Sequence, residues 1–456
     1  MIADLDFLSS HPFVRSTARD KVFGTIFGSA LGDAIGLYTE FLPQHEAERS
    51  YPLRKFSLIS PVTPVRSDSH RSKFYTKNAW TDDTDHALLI ILSYLHNEGK
   101  ISPRDFAARL QIWIEQGLRC LDRPPMGIGQ LVGGVVKDPA FLESPEDVAR
   151  KRWIKSGRHV APNGSLMRTH PLGIMCVGFD LEKTFRIAAD MSVVTHADPR
   201  CVVACCISTA LIRGILRGEI VVEADVDAIL QQAYDWVKAQ PELLDPGQDA
   251  ELTPREVAGL LDLKEFERHV HAKSWDDLKL DSAQQIGYVY KCLGCAILAL
   301  RLGMRQTASH FPTSPDVFED LITDLIMCGG DADTNACVTG AILGCWVGYS
   351  CLPPTWSNGL THGEWLGKKT GRLCRMVGVA CGSVEAVKEI DADTAPDGGK
   401  GLLSKEELDR RERDIILMIL TRDKERKEEE EGEKQKAQGK GFGRWLKGIS
   451  GSSSVN

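Results

Sequence analysis

Residues 24–36 read GTIFGSALGDAIG, and residues 340–348 read GAILGCWVG. Both stretches carry glycine at every fourth position, so the glycines of each stretch line one face if it is helical. Glycine inside a helix costs about 0.5–1 kcal/mol relative to alanine, and close approach of two helix backbones is the expected compensation. These two glycine ridges therefore predict helices at the centre of a helical bundle. Packing alone leaves Asp33, an acid within the first ridge, unexplained.

The rest of the chain carries the pattern of further helices rather than that of a large sheet. Apolar residues at helical spacing predict helices over residues 87–95, 106–118, 202–216 and 226–237. No series of alternating Val-, Ile- and Thr-rich runs divided by turn dipeptides is found in the sequence. The longest apolar stretch, residues 336–352, falls short of the roughly 18–20 residues that cross a membrane. We therefore expect a buried helix there and no transmembrane span.

Composition and charge place the chain among ordinary globular proteins. It has 456 residues, of which 43% are hydrophobic and 26% are charged. The chain has a net charge of −8 and so lacks the excess of positive charge that attracts proteins to phosphate backbones. We therefore expect no direct nucleic-acid binding. Thirteen cysteines without a secretory signal favour reduced thiols and an intracellular protein, in the cytoplasm or nucleus. We also expect a monomer.

The sequence predicts one helical domain over residues 1–390, a linker over 391–403 and a charged tail over 404–456. The linker contains DADTAPDGGKG, which is rich in Asp, Gly and Pro. Ser404 and Glu407 match a capping box, so the tail is expected to begin with a charged helix and to end in a disordered basic segment.

Two clusters of oxygen-bearing side chains each stand directly before an apolar helical stretch. Residues 80–85 read WTDDTD, and residues 329–335 read GGDADTN. One Asp or Thr is enough to cap a helix, but each of these helix starts carries at least three oxygen side chains. Crowded carboxylates repel one another, and a hard divalent cation relieves that repulsion. On this evidence a metal site, with two ions about 3.5–4 Å apart, and plain capping both remain open.

These segments together resemble the ADP-ribosylglycohydrolase family, which includes the dinitrogenase-reductase-activating glycohydrolase and the ADP-ribosyl-acceptor hydrolases. The spellings WTDDTDHALL, APNGSLMR and IGYVYKCLG indicate a eukaryotic and, more narrowly, a fungal branch. The resemblance spans about residues 20–370 in unchanged order, through residues 24–40, 81–83, 163–171, 195–196, 286–296 and 329–340.

The resemblance implies an all-α fold, an orthogonal multi-helix bundle with a central binuclear metal site. It implies two Mg²⁺ ions, with Mn²⁺ as the alternative, and cleavage of the glycosidic bond between ADP-ribose and an acceptor. A metal-activated water would be the nucleophile, Asp82 or Asp333 a candidate base, and Glu40 a candidate acid or gate. The metal ligands that the resemblance implies are Thr81, Asp82, Asp83, Asp331, Asp333 and Thr334.

The resemblance also implies a set of substrate-binding residues. Glycine loops let backbone N–H groups approach phosphate, and an aromatic ring such as Tyr288 can stack on adenine. Each residue has a plainer alternative, because His196 fits a buried structural histidine, Asn163 a turn cap and Glu40 a surface residue. Arg168 is expected in a structural ion pair. The substrate-binding residues that the resemblance implies are Gly127, Gly129, Asn163, Gly164, Ser165, His196 and Tyr288.

Three functions follow from these expectations. The first is a metal-dependent glycohydrolase acting on an ADP-ribosylated protein or a small ADP-ribose conjugate. The second is a catalytically weak ADP-ribose-binding protein of the same fold, and the third is a metal-dependent phosphoester hydrolase. An insertion at residues 239–282 has no clear counterpart in bacterial members of the family, and we expect it over the acceptor side of the site.

Overall fold

The computed structural model describes residues 5–66, 69, 71, 76–248, 252–309, 316–380 and 391–450. The chain is 66% helical, and these described ranges contain no strand or sheet. Their nearest approach to a sheet is a pair of isolated bridges, Leu118 to Arg123 and Pro162 to Tyr288. The all-α fold class expected from the sequence is therefore confirmed.

The helices are numbered in chain order within the described ranges. The first ten are α1 Pro12–Gly36, α2 Gln44–Ser50, α3 Asp82–His96, α4 Pro103–Gln116, α5 Gln130–Val136, α6 Pro145–Lys155, α7 His170–Met175, α8 Leu181–Val193, α9 Pro199–Arg217 and α10 Glu223–Lys238. The next ten are α11 Pro241–Leu244, α12 Pro254–Gly259, α13 Leu263–Val270, α14 Trp275–Leu278, α15 Val289–Ser309, α16 Asp316–Ile326, α17 Ala332–Val347, α18 Pro354–Ser357, α19 Gly363–Met376 and α20 Lys405–Ser450. Every helix predicted from apolar spacing is present, within a few residues of its predicted bounds.

The two glycine ridges lie on α1 and α17 and pack directly against each other. A Cβ atom at Gly28 would stand within 3.0 Å of the carbonyl oxygen of Gly340, and one at Gly32 would clash in the same way with Ala336. Residue numbers fall along α17 as they rise along α1, so the two helices run antiparallel. No other pair of described helices packs as extensively. The glycines thus bring two backbones into contact at the centre of the bundle.

The apolar helices form the core around this pair. Helix α9 is long and apolar enough to cross a membrane by length and composition, but 94% of that stretch is buried inside the protein, as in a core helix. Cys292 and Cys295 are both buried on α15 and are free thiols. Among the described residues, twelve cysteines are free.

The chain forms two compact units, and the first contains residues 1–64 and 77–402. Residues 391–402, expected as part of a linker, belong to this unit because their acids are paired. The buried amine of Lys369 donates to Asp391 at 2.6 Å and also to Asp393, and Arg109 donates to the carbonyl of Thr394 at 2.8 Å. The segment is packed against this unit, while its role as a linker stays a prediction.

The second unit contains residues 65–76 and 403–456. Helix α20 covers the predicted charged helix, and Ser404 and Glu407 form the expected reciprocal hydrogen bonds at its start. The disorder of the basic tail and the functional boundaries of the domains stay predictions.

The insertion at residues 239–282 contains α11 to α14. Helices α13 and α14 pack against α15. At its end, the carbonyl oxygen of Leu280 lies against Gly330, where an added Cβ would clash with it. The insertion therefore ends beside the segment that leads into the second acidic cluster, while its place over an acceptor stays a prediction.

Candidate active site

Asp33 of α1 caps helix α3 from outside that helix. The backbone N–H of Thr81 donates to both Asp33 carboxylate oxygens at 3.0 Å, and the Thr84 N–H donates at 3.1 Å. The hydroxyls of Thr81 and Thr84 donate to the same carboxylate at 2.9 and 2.6 Å. Because α3 has no side-chain cap of its own, Asp33 satisfies the free N–H groups of its first turn.

The two acidic clusters converge at this point. Carboxylate oxygens of Asp33, Asp83 and Asp333 all lie within 4.8 Å of one another, and all three residues are buried. The ridge contact explains the meeting, because Gly36 at the end of α1 packs on the Cα of Asp333 near the start of α17. The close approach of the two helices thus carries one acidic cluster to the other.

Burial and like charge raise the pKa values of these acids. Burial raises the pKa of Asp33 to about 6, although its hydrogen bonds to Thr84 and Thr81 oppose the rise. Burial raises the pKa of Asp83 well above its ordinary value, and the neighbouring charges of Asp33, Asp82 and Asp331 add to the rise. Crowded carboxylates in low dielectric therefore favour protonation or a bound cation.

The donor chemistry of this cluster fits a hard divalent cation. Oδ1 of Asp83 is buried and has no hydrogen-bond partner within the described part of the chain. Within the same part, no Lys, Arg or His forms an ion pair with Asp33, Asp83 or Asp331. Oxygen ligands of this kind suit Mg²⁺ or Mn²⁺.

Asp331 occupies the N-cap position of α17 and is held by a loop from elsewhere in the chain. The amide nitrogen of Asn163 donates to Asp331 Oδ2 at 2.7 Å. Burial raises the pKa of Asp331, its bond from Asn163 lowers it, and the nearby charge of Glu40 raises it again. The backbone N–H of Thr334 donates to Asp333 Oδ1 at 2.9 Å and so orients the next acid of the cluster.

Glu40 is buried beside the second cluster and is not a surface residue. The loop after α1 exchanges backbone hydrogen bonds with the loop before α17. Phe41 N–H donates to the carbonyl of Gly330 at 2.6 Å, and Gly330 N–H donates to Leu42 at 2.9 Å. This pairing explains how Glu40 comes close enough to Asp331 to act on its pKa.

The six predicted metal ligands therefore lie in one region. The Thr81 hydroxyl lies 3.1 Å from Asp83 Oδ2, and the Thr334 side chain hydrogen bonds to Asp83. Asp82 is partly exposed, and its charge helps to raise the pKa of Asp83. The structure brings the residues together, while their roles as ligands and catalysts stay predictions.

The loop that carries Asn163 runs beside the residues before α15. Asn163 N–H donates to the carbonyl of Gly287 at 2.9 Å, and Val289 N–H donates to Ala161 at 3.0 Å. Tyr288 therefore lies beside the loop that carries Asn163, because it forms an isolated bridge with Pro162. The substrate loop and the predicted adenine-side residue are thus joined through the backbone.

Three cationic or aromatic side chains already contact the ring of Tyr288, and one of them is Tyr290, whose ring centroid lies 5.7 Å away. The Arg200 guanidinium lies 5.7 Å from the Tyr288 ring centroid, and the His269 ring meets the Tyr288 ring edge-on at 5.6 Å. Burial raises the pKa of the Tyr288 hydroxyl. Adenine stacking on this ring stays a prediction.

The two predicted glycines before α5 lie beside the first cluster. Asp82 N–H contacts the carbonyl of Met126 at 3.3 Å, which places the loop containing Gly127 there. Gly127 has a φ of 106°, in the region that favours glycine. A Cβ at Gly129 would meet no atom within 4 Å, so this backbone faces open space.

Ser165 and Gly164 are placed differently from each other. Ser165 is fully buried, and its hydroxyl accepts from Ser192 at 3.1 Å and from the Cys205 thiol at 3.4 Å. Its side chain is therefore committed within the protein. Gly164 is partly exposed and lies over the buried ring of His196.

Arg168, expected in a structural ion pair, has no carboxylate partner among the described residues, so that expectation is wrong. Its guanidinium donates to the carbonyl of Met191 at 3.3 Å and to the Thr195 hydroxyl at 2.7 Å.

The sequence also left Asp33 without a role. The acid inside the glycine ridge was the available signal, and its partners on α3 became visible only in the structure.

The family assignment rests on a match over most of the chain. A family model described as ADP-ribosylglycohydrolase matches residues 15–382. The chain therefore belongs to the ADP-ribosylglycohydrolase family and is an enzyme of that class. This confirms the resemblance, while the eukaryotic or fungal branch stays a prediction.

Several relatives named as ADP-ribosyl hydrolases are 20–25% identical to this chain over the aligned residues. The ADP-ribosylarginine hydrolase Tri1 of Serratia proteamaculans is 24% identical, over 76% of this chain and 77% of its own. The ADP-ribosylhydrolase ARH3 of Gallus gallus is 25% identical, over 61% and 72%. The ADP-ribosyl-[dinitrogen reductase] glycohydrolase of Rhodospirillum rubrum is 20% identical, over 75% and 90%. A solved ADP-ribosylglycohydrolase-related protein complex is 21% identical, with a TM-score of 0.48, over 79% of this chain and 99% of that one.

Proposed function

We propose that this protein hydrolyses the glycosidic bond between ADP-ribose and an acceptor, and that it requires two divalent cations for this reaction. The acceptor belongs to a protein or a small conjugate. The observation that carries the proposal is the convergence of Asp83 and Asp333 in one buried cluster. Among the described residues, no Lys, Arg or His forms an ion pair with Asp83. The names of the relatives support it, because they describe hydrolases of ADP-ribosyl groups.

The cations are Mg²⁺, with Mn²⁺ as the alternative. Bound there, they would hold ribose hydroxyls and lower the pKa of an attacking water. The uncompensated oxygen Asp83 Oδ1 supports such a site. The proposed ligands are Thr81, Asp82, Asp83, Asp331, Asp333 and Thr334.

The carboxylates beside the cations supply proton transfer. Glycoside cleavage passes through an oxocarbenium-like state, and it needs a base for the attacking water and an acid for the leaving group. Asp82 or Asp333 takes the proton of the water, and Glu40 donates a proton to the leaving acceptor atom or gates access to it. The position of Glu40 beside Asp331 supports this division.

The neighbouring loops bind the ADP-ribose unit. Asn163, which bonds Asp331, links the substrate loop to the cluster, and Gly164 and His196 lie behind it. The open backbone at Gly129, together with Gly127, offers N–H groups to phosphate. Ser165 contributes through its backbone, and Tyr288 stacks on adenine.

The protein acts as an intracellular monomer in this proposal. Free thiols support the reducing compartment, since twelve cysteines of the described structure are outside any disulfide. The compartment itself can be cytoplasmic or nuclear.

A substrate panel tests the proposed function. The full-length protein is incubated with arginine-, serine- and acetyl-linked ADP-ribose under Mg²⁺, under Mn²⁺ and with a chelator, and the products are separated. We expect free ADP-ribose with metal and loss of release with chelator. Equal release with chelator would reject the metal mechanism, and tight ADP-ribose binding without any cleavage would favour the binding protein. Release of phosphate or AMP would indicate a phosphoester hydrolase.

A further inference from the structure

Arg168 is a buried cation whose partners carry no negative charge. Its side chain has 0% exposure, and its guanidinium lies 4.8 Å from the ring centroid of Phe106. Within the described structure its hydrogen bonds go to a carbonyl and to the Thr195 hydroxyl, and its Nε and Nη1 atoms have no partner. Burying a charge without an ion pair is unfavourable, and the hydroxyl of Thr195 does not neutralise the charge of Arg168. The hydrogen bond between Arg168 and Thr195 therefore needs another explanation.

That bond determines how the Thr195 hydroxyl is used. Its oxygen accepts from Arg168 Nη2 at 2.7 Å and lies 2.7 Å from Nδ1 of His196. Arginine only donates, and a hydroxyl carries one hydrogen. Because the described structure gives this hydroxyl no other acceptor, its hydrogen points to Nδ1 of His196. Nδ1 therefore accepts, and the ring proton resides on Nε2.

The Nε2 atom of His196 faces the substrate loop. It is buried and has no hydrogen-bond partner among the described residues. It lies 3.1 Å from the position that a Cβ atom of Gly164 would occupy, so the ring reaches the loop because residue 164 is glycine. A buried N–H without an acceptor is unfavourable until an acceptor arrives.

We propose that Arg168 and Thr195 are positioning residues that hold His196 as a neutral Nε2–H donor for a phosphate or ribose oxygen of ADP-ribose bound at Gly164. This inference rests on the proposed function, because it takes ADP-ribose as the ligand. The chain of bonds runs from Arg168 through the Thr195 hydroxyl to Nδ1, and it selects one of the two neutral forms of the ring. Burial and the charge of Arg168 also lower the pKa of His196, which disfavours the doubly protonated ring.

The first test measures the ring proton without ligand. Full-length protein labelled with ¹⁵N-histidine is compared by NMR with Thr195→Val and Thr195→Ser, and the spectrum of His196→Gln identifies the His196 signals. We expect the Nε2–H form in the unaltered protein and in Thr195→Ser, and a population of the Nδ1–H form in Thr195→Val. An unchanged Nε2–H form in a folded Thr195→Val would overturn the inference.

The second test measures the dissociation constant of ADP-ribose in a double-mutant cycle. Thr195→Val is expected to weaken binding about tenfold, as for one hydrogen bond to a charged or polar oxygen. The side-chain amide of glutamine always carries N–H donors and has no tautomer to select. In a His196→Gln background, Thr195→Val should therefore change the dissociation constant by no more than about twofold. Equal losses in both backgrounds would show a merely structural role for Thr195. Thermal melting monitors folding, and Thr195→Ser should restore binding.

The two proposals fail in different ways. If the protein does not bind ADP-ribose but His196 holds Nε2–H under the control of Thr195, the proposed function fails and the tautomer control stands. If ADP-ribose binds and is released from substrates but Thr195→Val has no selective effect, the proposed function stands and the inference is overturned.

Discussion

The tetrapeptide Asp-Ala-Asp-Thr occurs twice in this chain, at residues 331–334 and 391–394, and its two copies have opposite electrostatic surroundings. In the second copy, the buried amine of Lys369 donates to Asp391 and Asp393, and Arg372 lies 3.2 Å from Asp391. In the first copy, no ion pair reaches Asp331 among the described residues, and burial raises its pKa. The protein supplies the cation for one copy, whereas the other copy is suited to a cation from solution. Identical local sequence therefore acquires its chemistry from distant partners.

The largest difference between the copies is expected in catalysis. Asp333→Asn removes a charge from the first copy at nearly constant size, and we expect ADP-ribose release to fall about 10³-fold, because metal-bound charge contributes several kcal/mol. Asp393→Asn makes the same change in the second copy and should alter the rate by no more than about twofold. Initial rates at saturating Mg²⁺ measure both variants. Similar losses in the two variants would contradict the comparison.

The next difference concerns what holds the first copy in place. Gly32→Ala puts a methyl group against the carbonyl of Ala336, one turn beyond Asp333, and should lower the free energy of unfolding by about 3 kcal/mol or more. Gly367→Ala is the matched control on α19, where the new Cβ would lie 3.7 Å from Phe27. We expect that control to raise the free energy of unfolding by about 0.5–1 kcal/mol. Chemical denaturation measures both free energies of unfolding. Equal destabilisation of the two variants would show that the contact between α1 and α17 does not specifically require glycine.

The smallest expected effect is the pH dependence of the stability that Asp391 of the second copy contributes. Burial alone would raise the pKa of Asp391, but Lys369 and Arg372 outweigh it and hold the pKa below 3.8. A lowered pKa contributes stability that is present above about pH 4 and is lost as the pH falls through the folded-state value. Because Asp391 is partly exposed, we expect Asp391→Asn to cost less than about 1 kcal/mol at pH 5.5.

Urea denaturation at pH 5.5 and at pH 3 measures this contribution in both proteins. The stability gap between the unaltered protein and Asp391→Asn should narrow at the lower pH, because below about pH 4 the unfolded chain binds a proton at Asp391 more readily than the folded protein does. A gap of the same size at both values would show that charge pairing with Lys369 is not its source.

The sequence allowed prediction of the helices from short-range periodicity, whereas the meeting of the two acidic clusters was implied by the family resemblance. Glycine at every fourth residue predicts a close helix contact, and the position of each acidic cluster at a helix start predicts where its carboxylates lie. The partners themselves were less visible. Asp33 is bonded by Thr81 and Thr84, which lie about fifty residues away, and no local pattern encodes that distance.

The contacts of residues 391–402 and those of Arg168 were hidden from the sequence for the same physical reason. Gly, Asp and Pro are typical of linkers and equally of tight packed turns, so the composition of residues 391–403 did not reveal the pairing with Lys369. Arg168 was expected beside an acid, but its side chain contacts a carbonyl, a hydroxyl and an aromatic ring. None of these partners carries a charge that a sequence pattern would display.

The antiparallel contact between α1 and α17 has a consequence for synthesis on the ribosome. Helix α1 is synthesised before its principal partner, which follows some three hundred residues later. A nascent chain therefore carries an uncovered glycine surface while those residues are added, at about 5–20 residues per second. Since Gly36 meets Asp333 across this contact, we expect assembly of the acidic cluster to await the synthesis of α17, and fragments that end before α17 to depend on chaperones and to lack activity.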